Sequence, residues 1–210
     1  MPVLKFFPTQ VWQDKMPQAQ AKALIQKLIR EAYLFREEDF VGKKWSKENY
    51  DAGYTSYSSV ADLYFRSSNF AILKQWIDKK VQSFAKVLEM DLCGGRLEMG
   101  ACWVNIMGQH CHHSFHIHPL SAISGTFYLQ VPKGSGSFKL EDPRLDAFMA
   151  SPPRKQNAKI QNQQHIKLQP SPGSLILFES WLRHEVPANL SKQDRISVSF
   201  NYDWIQKVKK

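Results

Sequence analysis

A mainly β fold of the α+β class, a sandwich or jelly roll with helices packed on the outside of one sheet, is predicted by three observations. Helical spacing of apolar residues is confined to the first ninety residues. From Arg96 onward the period changes to two, in short segments 8–15 residues apart. Five of the seven histidines fall between His110 and His118, at the end of the first of those segments. The 210 residues fit one domain. Its expected parts are a helical and loop layer over 1–92, a β core over 93–204 and a basic tail over 205–210.

Residues 1–13 predict an extended entry, with Phe6, Phe7 and Trp12 as apolar anchors. From Pro17 to about Phe35, Ala23, Leu24, Ile25, Leu28 and Ile29 recur at three-to-four spacing, which predicts a helix. Residues 36–58 are polar and predict a loop, in which Gly53–Tyr57 either faces a substrate or packs its tyrosines on the core. A second helix is predicted over Phe70 to Met90. Its stripe comprises Ile72, Leu73, Trp76, Ile77, Val81, Phe84, Ala85 and Leu88, with lysines on the other face.

After Gly94-Gly95 the strands begin: 96–107, the histidine stretch, 123–131, 137–140, 165–169, 174–178 and 195–202. In the last of these Ile196, Val198 and Phe200 face inward, against Ser197, Ser199 and Asn201. Turns fall at Gly134-Ser135-Gly136 and Pro170-Ser171-Pro172-Gly173. Residues 142–163, with three prolines, predict a long surface loop. From Asp203 the chain is expected to be exposed.

Composition bounds the function. Three cysteines without C-x-x-C spacing give neither a disulfide framework nor a thiolate zinc site, and are expected to be buried small hydrophobes in a reducing compartment. The first residues lack the apolar core of a signal peptide, and no run approaches the roughly 18 apolar residues of a membrane span. A soluble cytoplasmic protein is expected. The formal charge of +9 is scattered, with local excesses only at Arg154-Lys155 and 207–210. It favours attraction of an acidic substrate over a nucleic-acid groove.

The candidate chemistry lies in the histidines. Residues i and i+2 of a strand share a face, so His116 and His118 can both point into a barrel mouth. Pro119 holds His118 out of the helical region. His184 can arrive from a neighbouring strand, and three such groups cap one face of a metal. Eleven residues later, Arg195 and Ser197 share a strand face, and a buried guanidinium there can grip both oxygens of a carboxylate. His110, His112, His113 and His165 are assigned ordinary polar roles, with His113 nearest the expected rim. Trp103, Phe127, Phe178 and Phe200 are assigned to the core.

Taken together, these pieces resemble the Fe(II)/2-oxoglutarate-dependent oxygenases, and most closely a small bacterial-type branch of them. The matching pieces are His116-Ile117-His118-Pro119, Ser124-Gly125-Thr126-Phe127-Tyr128-Leu129 and Asp142-Pro143-Arg144. Downstream they continue with Pro172-Gly173-Ser174-Leu175-Ile176-Leu177-Phe178, His184-Glu185-Val186-Pro187 and Arg195-Ile196-Ser197. The resemblance implies a double-stranded β-helix (jelly roll) with N-terminal helices outside one sheet. It implies Fe(II) held by His116, His118 and His184, and 2-oxoglutarate bound by Arg195 with Ser197, Tyr128 and Asn105. The implied reaction is hydroxylation of a small-molecule or peptidyl substrate as 2-oxoglutarate is decarboxylated to succinate.

One departure stands out: His118 occupies the place where the broad superfamily has Asp or Glu. Either His118 is a true ligand, or Glu141, Asp142 or Glu185 completes the site, or metal is bound without turnover. The first is favoured. A cupin-like metal-binding protein, or a three-histidine dioxygenase without co-substrate, is the competing reading, and the placement of Arg195 discriminates. A nucleic-acid demethylase of the same chemistry would need a basic groove that the scattered charge does not provide. A homodimer is compatible with the sequence.

Overall fold

The computed structural model describes residues 2–207. Two antiparallel sheets face each other, and helices cover the outer face of the larger one. The larger sheet contains β1 (Val11–Lys15), β2 (Gly53–Thr55), β3 (Arg96–Met107), β5 (Ile123–Gln130), β8 (Ser174–Glu179) and β10 (Arg195–Ile205), in the order β1-β8-β5-β10-β3-β2. The smaller contains β4 (His113–His116), β6 (Phe138–Glu141), β7 (His165–Leu168) and β9 (His184–Val186), in the order β4-β9-β6-β7. From β3 to β10 successive strands alternate between sheets except at the β6–β7 hairpin, which stays within the smaller one; this is the crossing pattern of a jelly roll. The fold is a double-stranded β-helix.

The sheet order follows from side-chain alternation. On β10, Ile196, Val198 and Phe200 join the outer core beneath the helices, while Arg195, Ser197 and Ser199 line a cleft between the sheets. Both faces are therefore covered: Arg195 and Ser197 are buried, and Ser199 is partly so. β8 divides the same way: Leu175 and Leu177 go to the helix side, and Ile176 and Phe178 to the inter-sheet side.

Helix α1 (Gln18–Glu38) buries Ala21, Leu24, Ile25, Leu28 and Ala32. Ala23 faces solvent, whereas Leu24, Ile25 and Leu28 are buried on the expected stripe and Ile29 packs at its edge. Helix α4 (Ser68–Val87) begins where Ser67 accepts from the backbone of Asn69 and Phe70, and it buries Phe70, Leu73, Ile77, Val81, Phe84 and Ala85. Each of the larger buried side chains contributes about 1.5–3 kcal/mol. Trp76 meets Phe127 edge-on at 5.8 Å. Ile72 is off the stripe, at 45% exposure.

Residues 36–58 are not the expected loop. They form helix α2 (Phe40–Asn49) and the edge strand β2, and the short helix α3 (Leu63–Arg66) follows. Asp39 caps α2 by accepting from Gly42 N at 2.8 Å. Its other oxygen accepts from Tyr54 Oη at 2.9 Å and from Ser59 Oγ. Phe6 and Phe7 do not anchor the N-terminus, at 68% and 89% exposure. Trp12 does pack on the core. Cys102 and Cys111 are buried, whereas Cys93 is exposed. The last strand runs to Ile205, three residues beyond its expected end at 202, so Asp203–Ile205 are paired rather than free tail. Residues 208–210 of the expected basic tail lie outside the described residues. Among the described residues, no helix is long and apolar enough to cross a membrane.

Candidate metal centre

His116 and His184 sit directly opposite each other in the β4–β9 ladder, with rings 4.2 Å apart between centroids. His118 is not on the strand with His116. β4 ends at His116, and His118 lies in the turn that follows. Its ring nevertheless reaches the other two, with Nε2 3.3 Å from His184 Nε2. Each of the three offers a ligand atom within 4.8 Å of the others, and among the described residues this is the one group of three or more potential metal ligands so placed.

The donor chemistry fits a divalent transition metal. His116 Nδ1 lies 2.8 Å from Ser114 O, and His184 Nδ1 lies 2.8 Å from Leu182 O. Each Nδ1 therefore carries the proton and donates it to a carbonyl, which leaves Nε2 with a free lone pair. Burial pushes His184 down to about 2 and His118 down to about 4, reinforced in each by the neighbouring histidines. Burial likewise lowers His116. All three are neutral, ligand-competent imidazoles at neutral pH. His113 stacks on His116 at 4.1 Å and is pushed down to about 3, chiefly by burial.

The carboxylates considered as completing groups are engaged elsewhere. Glu185 accepts from Lys139 Nζ at 2.7 Å, Asp142 pairs with Arg144 at 2.7 Å, and Glu141 faces His165 and Arg183, each at 3.4 Å. None belongs to the histidine group.

Across the same cleft lie the other expected residues, Asn105, Tyr128, Arg195 and Ser197. Arg195 is only 2% exposed. Its guanidinium lies over the Tyr128 ring at 5.0 Å, and Nη1 contacts Met107 Sδ at 3.3 Å. Among the described residues no carboxylate pairs with it, and its Nε has no hydrogen-bond partner. Tyr128 Oη and Asn105 Oδ1 are likewise buried without partners, and Asn105 Nδ2 donates to Ser199 Oγ at 3.0 Å. Burial raises Tyr128 to about 12 despite the opposing Arg195 charge, so it stays a donor. A buried cation and unpaired polar atoms facing one cleft are costly unless a ligand satisfies them. Among the described residues the cleft lining holds no Asp or Glu.

The structure adds residues that sequence reasoning placed elsewhere. Tyr50, at the end of α2, lines the cleft with an unpartnered buried hydroxyl and meets His113 edge-on at 5.5 Å. The segment around it has no apolar periodicity, so only the helix it ends could have pointed to it. Trp103 and Phe178 line the cleft as well as packing. Phe178 lies 4.6 Å from His184, and Trp103 lies 5.9 Å from His118. Tyr57, half exposed, stands edge-on to Trp103 at 4.9 Å. In Gly53–Tyr57 the two readings divide, with Tyr54 buried and Tyr57 beside the cleft.

Residues 101–201 match the family described as "Putative 2OG-Fe(II) oxygenase". Among solved structures, a Pseudomonas putida prolyl-4-hydroxylase superposes with a TM-score of 0.61 at 15% identity, over 94% of each chain. HygX from Streptomyces hygroscopicus, crystallised with nickel and 2-oxoglutarate, gives 0.61 at 14% identity, over 93% of this chain and 83% of that one. The non-heme alpha ketoglutarate dependent epimerase SnoN from nogalamycin biosynthesis gives 0.64 at 14% identity, over 93% and 76%. At these identities the likeness is one of fold. No curated protein sequence matches.

Proposed function

We propose that the protein is an Fe(II)- and 2-oxoglutarate-dependent oxygenase, a reading supported by the match of residues 101–201 to the family described as "Putative 2OG-Fe(II) oxygenase". His116, His118 and His184 hold the iron. Arg195 holds the far carboxylate of 2-oxoglutarate, with Ser197, Tyr128 and Asn105 around it. When bound, iron and 2-oxoglutarate supply oxidative decarboxylation to succinate, coupled to oxidation of a substrate C–H bond.

The chain's part is positional and electrostatic. The Nδ1 protons of His116 and His184, held on Ser114 O and Leu182 O, keep both Nε2 atoms aimed into the cleft. Three neutral imidazoles leave a divalent ion its full charge, and Arg195 adds another, so the cleft is matched to a dianion. Trp103, Phe178 and Phe138 wall the histidines with apolar surface that limits water. The substrate is a small molecule or peptidyl group, and hydroxylation is the proposed outcome.

The observation that carries the assignment is Arg195, a buried guanidinium with no counter-ion among the described residues, in the same cleft as the histidines. A cupin-like metal binder without co-substrate has no use for that charge. Anaerobic titration of Fe(II) and 2-oxoglutarate tests the reading through the visible charge-transfer band of the chelate. The band is expected in wild type and should be lost in His116→Ala and Arg195→Ala. No band in wild type, or a band surviving in both variants, overturns it.

A further inference from the structure

The three histidines are held in different ways. His116 and His184 lie in paired strands, and each donates through Nδ1 to a carbonyl two residues back. His118 has neither support. It lies past the end of β4, and among the described residues no protein group accepts from its remaining ring nitrogen. What fixes it is its backbone N–H, which donates to Ser180 O at 2.9 Å.

Ser180 is itself fastened. It lies in the turn between β8 and β9, 1% exposed, with its own N–H on Ala122 O at 3.1 Å. Its hydroxyl meets Ser124 Oγ at 2.7 Å. Ser124, also 1% exposed, donates to Asn201 Oδ1 at 2.8 Å. Since Ser124 spends its proton on Asn201, it accepts from Ser180. Ser124 and Asn201 are cross-strand partners on β5 and β10. A chain of buried polar contacts thus runs from the rigid centre of the larger sheet to the backbone of the one histidine that no strand holds. Buried side-chain networks of this kind rigidify what they touch.

We propose that Ser124 is a positioning residue for the metal centre, acting through Ser180 on His118 alone. The inference rests on the metal site assigned above. Co(II) serves as the probe, because its visible spectrum reports ligand number and its affinity can be titrated without turnover. Ser124→Ala should bind Co(II) about three- to tenfold more weakly than wild type, with a changed visible spectrum. Introduced into His118→Ala, the same substitution should cost nothing further. Ser124→Thr keeps the hydroxyl and should restore most of the affinity.

An undiminished affinity in Ser124→Ala, or an equal loss in the wild-type and His118→Ala backgrounds, overturns the positioning role. If Ser124→Ala does not fold, Ser180→Ala removes the same hydrogen bond from the turn side and is read against the same outcomes. Failure of wild type to bind Co(II), or binding indifferent to His116→Ala and His184→Ala, overturns the metal site itself. The two failures are therefore distinguishable.

Discussion

Arg195, proposed to hold an anion, can be told from a structural arginine at the scale of a single side chain. A buried guanidinium ordinarily pairs with a carboxylate, because leaving water costs an isolated ion several kcal/mol. Here its contacts are a thioether and an aromatic face, so part of that cost is uncompensated until an anion arrives. Arg195→Met should therefore raise the stability of the ligand-free protein by about 1–3 kcal/mol, read as a higher urea midpoint at neutral pH. The same variant should lose the thermal shift produced by 2-oxoglutarate. A destabilisation of more than about 1 kcal/mol would mean that Arg195 holds the fold rather than a ligand. The residue was legible in the sequence because R-x-S falls on one strand face. Its missing partner was not, because carboxylates such as Asp194 stand next to it in the chain, and only the structure puts the Asp194 carboxylate on Tyr33 and beside Arg36 instead.

Among elements, the strands were legible and helix α2 was not. β3 runs over Arg96–Met107, as its period-two alternation indicates. β5, β6, β7 and β8 fall within a residue of expectation at each end, because each carries apolar residues on a face that must be buried, whereas β10 runs three residues further and β2 was not expected. Helix α2 fails that test: Phe40 and Val41 are exposed and only Gly42 and Ser46 are buried. It is held by its cap rather than by an apolar stripe, and the cap residue Asp39 is the one local feature that could have pointed to its start. This small helix matters because it ends in Tyr50, and because β2 behind it pairs Thr55 with Asn105. Asp39→Ala removes the cap and the acceptor for Tyr54 and Ser59. It should cost about 2 kcal/mol and weaken 2-oxoglutarate binding by loosening the Tyr50 wall. Asp39→Asn, which keeps the cap, should cost less. Chemical denaturation and ligand titration of the two variants check both points. Equal affinity in all three proteins would detach α2 from the site. His118 is the opposite case: the i, i+2 argument reached the right neighbourhood, yet the residue stands in a turn, and the hydrogen bond that fixes it spans 62 positions to Ser180. No local pattern encodes a contact of that range.

Over the whole molecule, the two halves of the site belong to different sheets. His116 and His184 stand on the smaller sheet, with His118 on the adjoining turn, whereas Asn105, Tyr128, Arg195 and Ser197 stand on the larger. A metal alone engages one side of the sandwich. 2-Oxoglutarate bridging metal and guanidinium would tie the two sides together, so each ligand should bind better when the other is present. By linkage the factor is the same in both directions, and couplings of this kind amount to about 1–3 kcal/mol. For a protein of this size that corresponds to about 2–12 °C of melting temperature beyond the sum of the separate shifts. Thermal melts with Mn(II) alone, 2-oxoglutarate alone and both should show this excess in wild type. Arg195→Met should keep the metal shift and lose the excess, and His116→Ala should lose both. Strictly additive shifts in wild type would mean that the two ligands do not meet across the cleft, and that the sheets carry two independent sites.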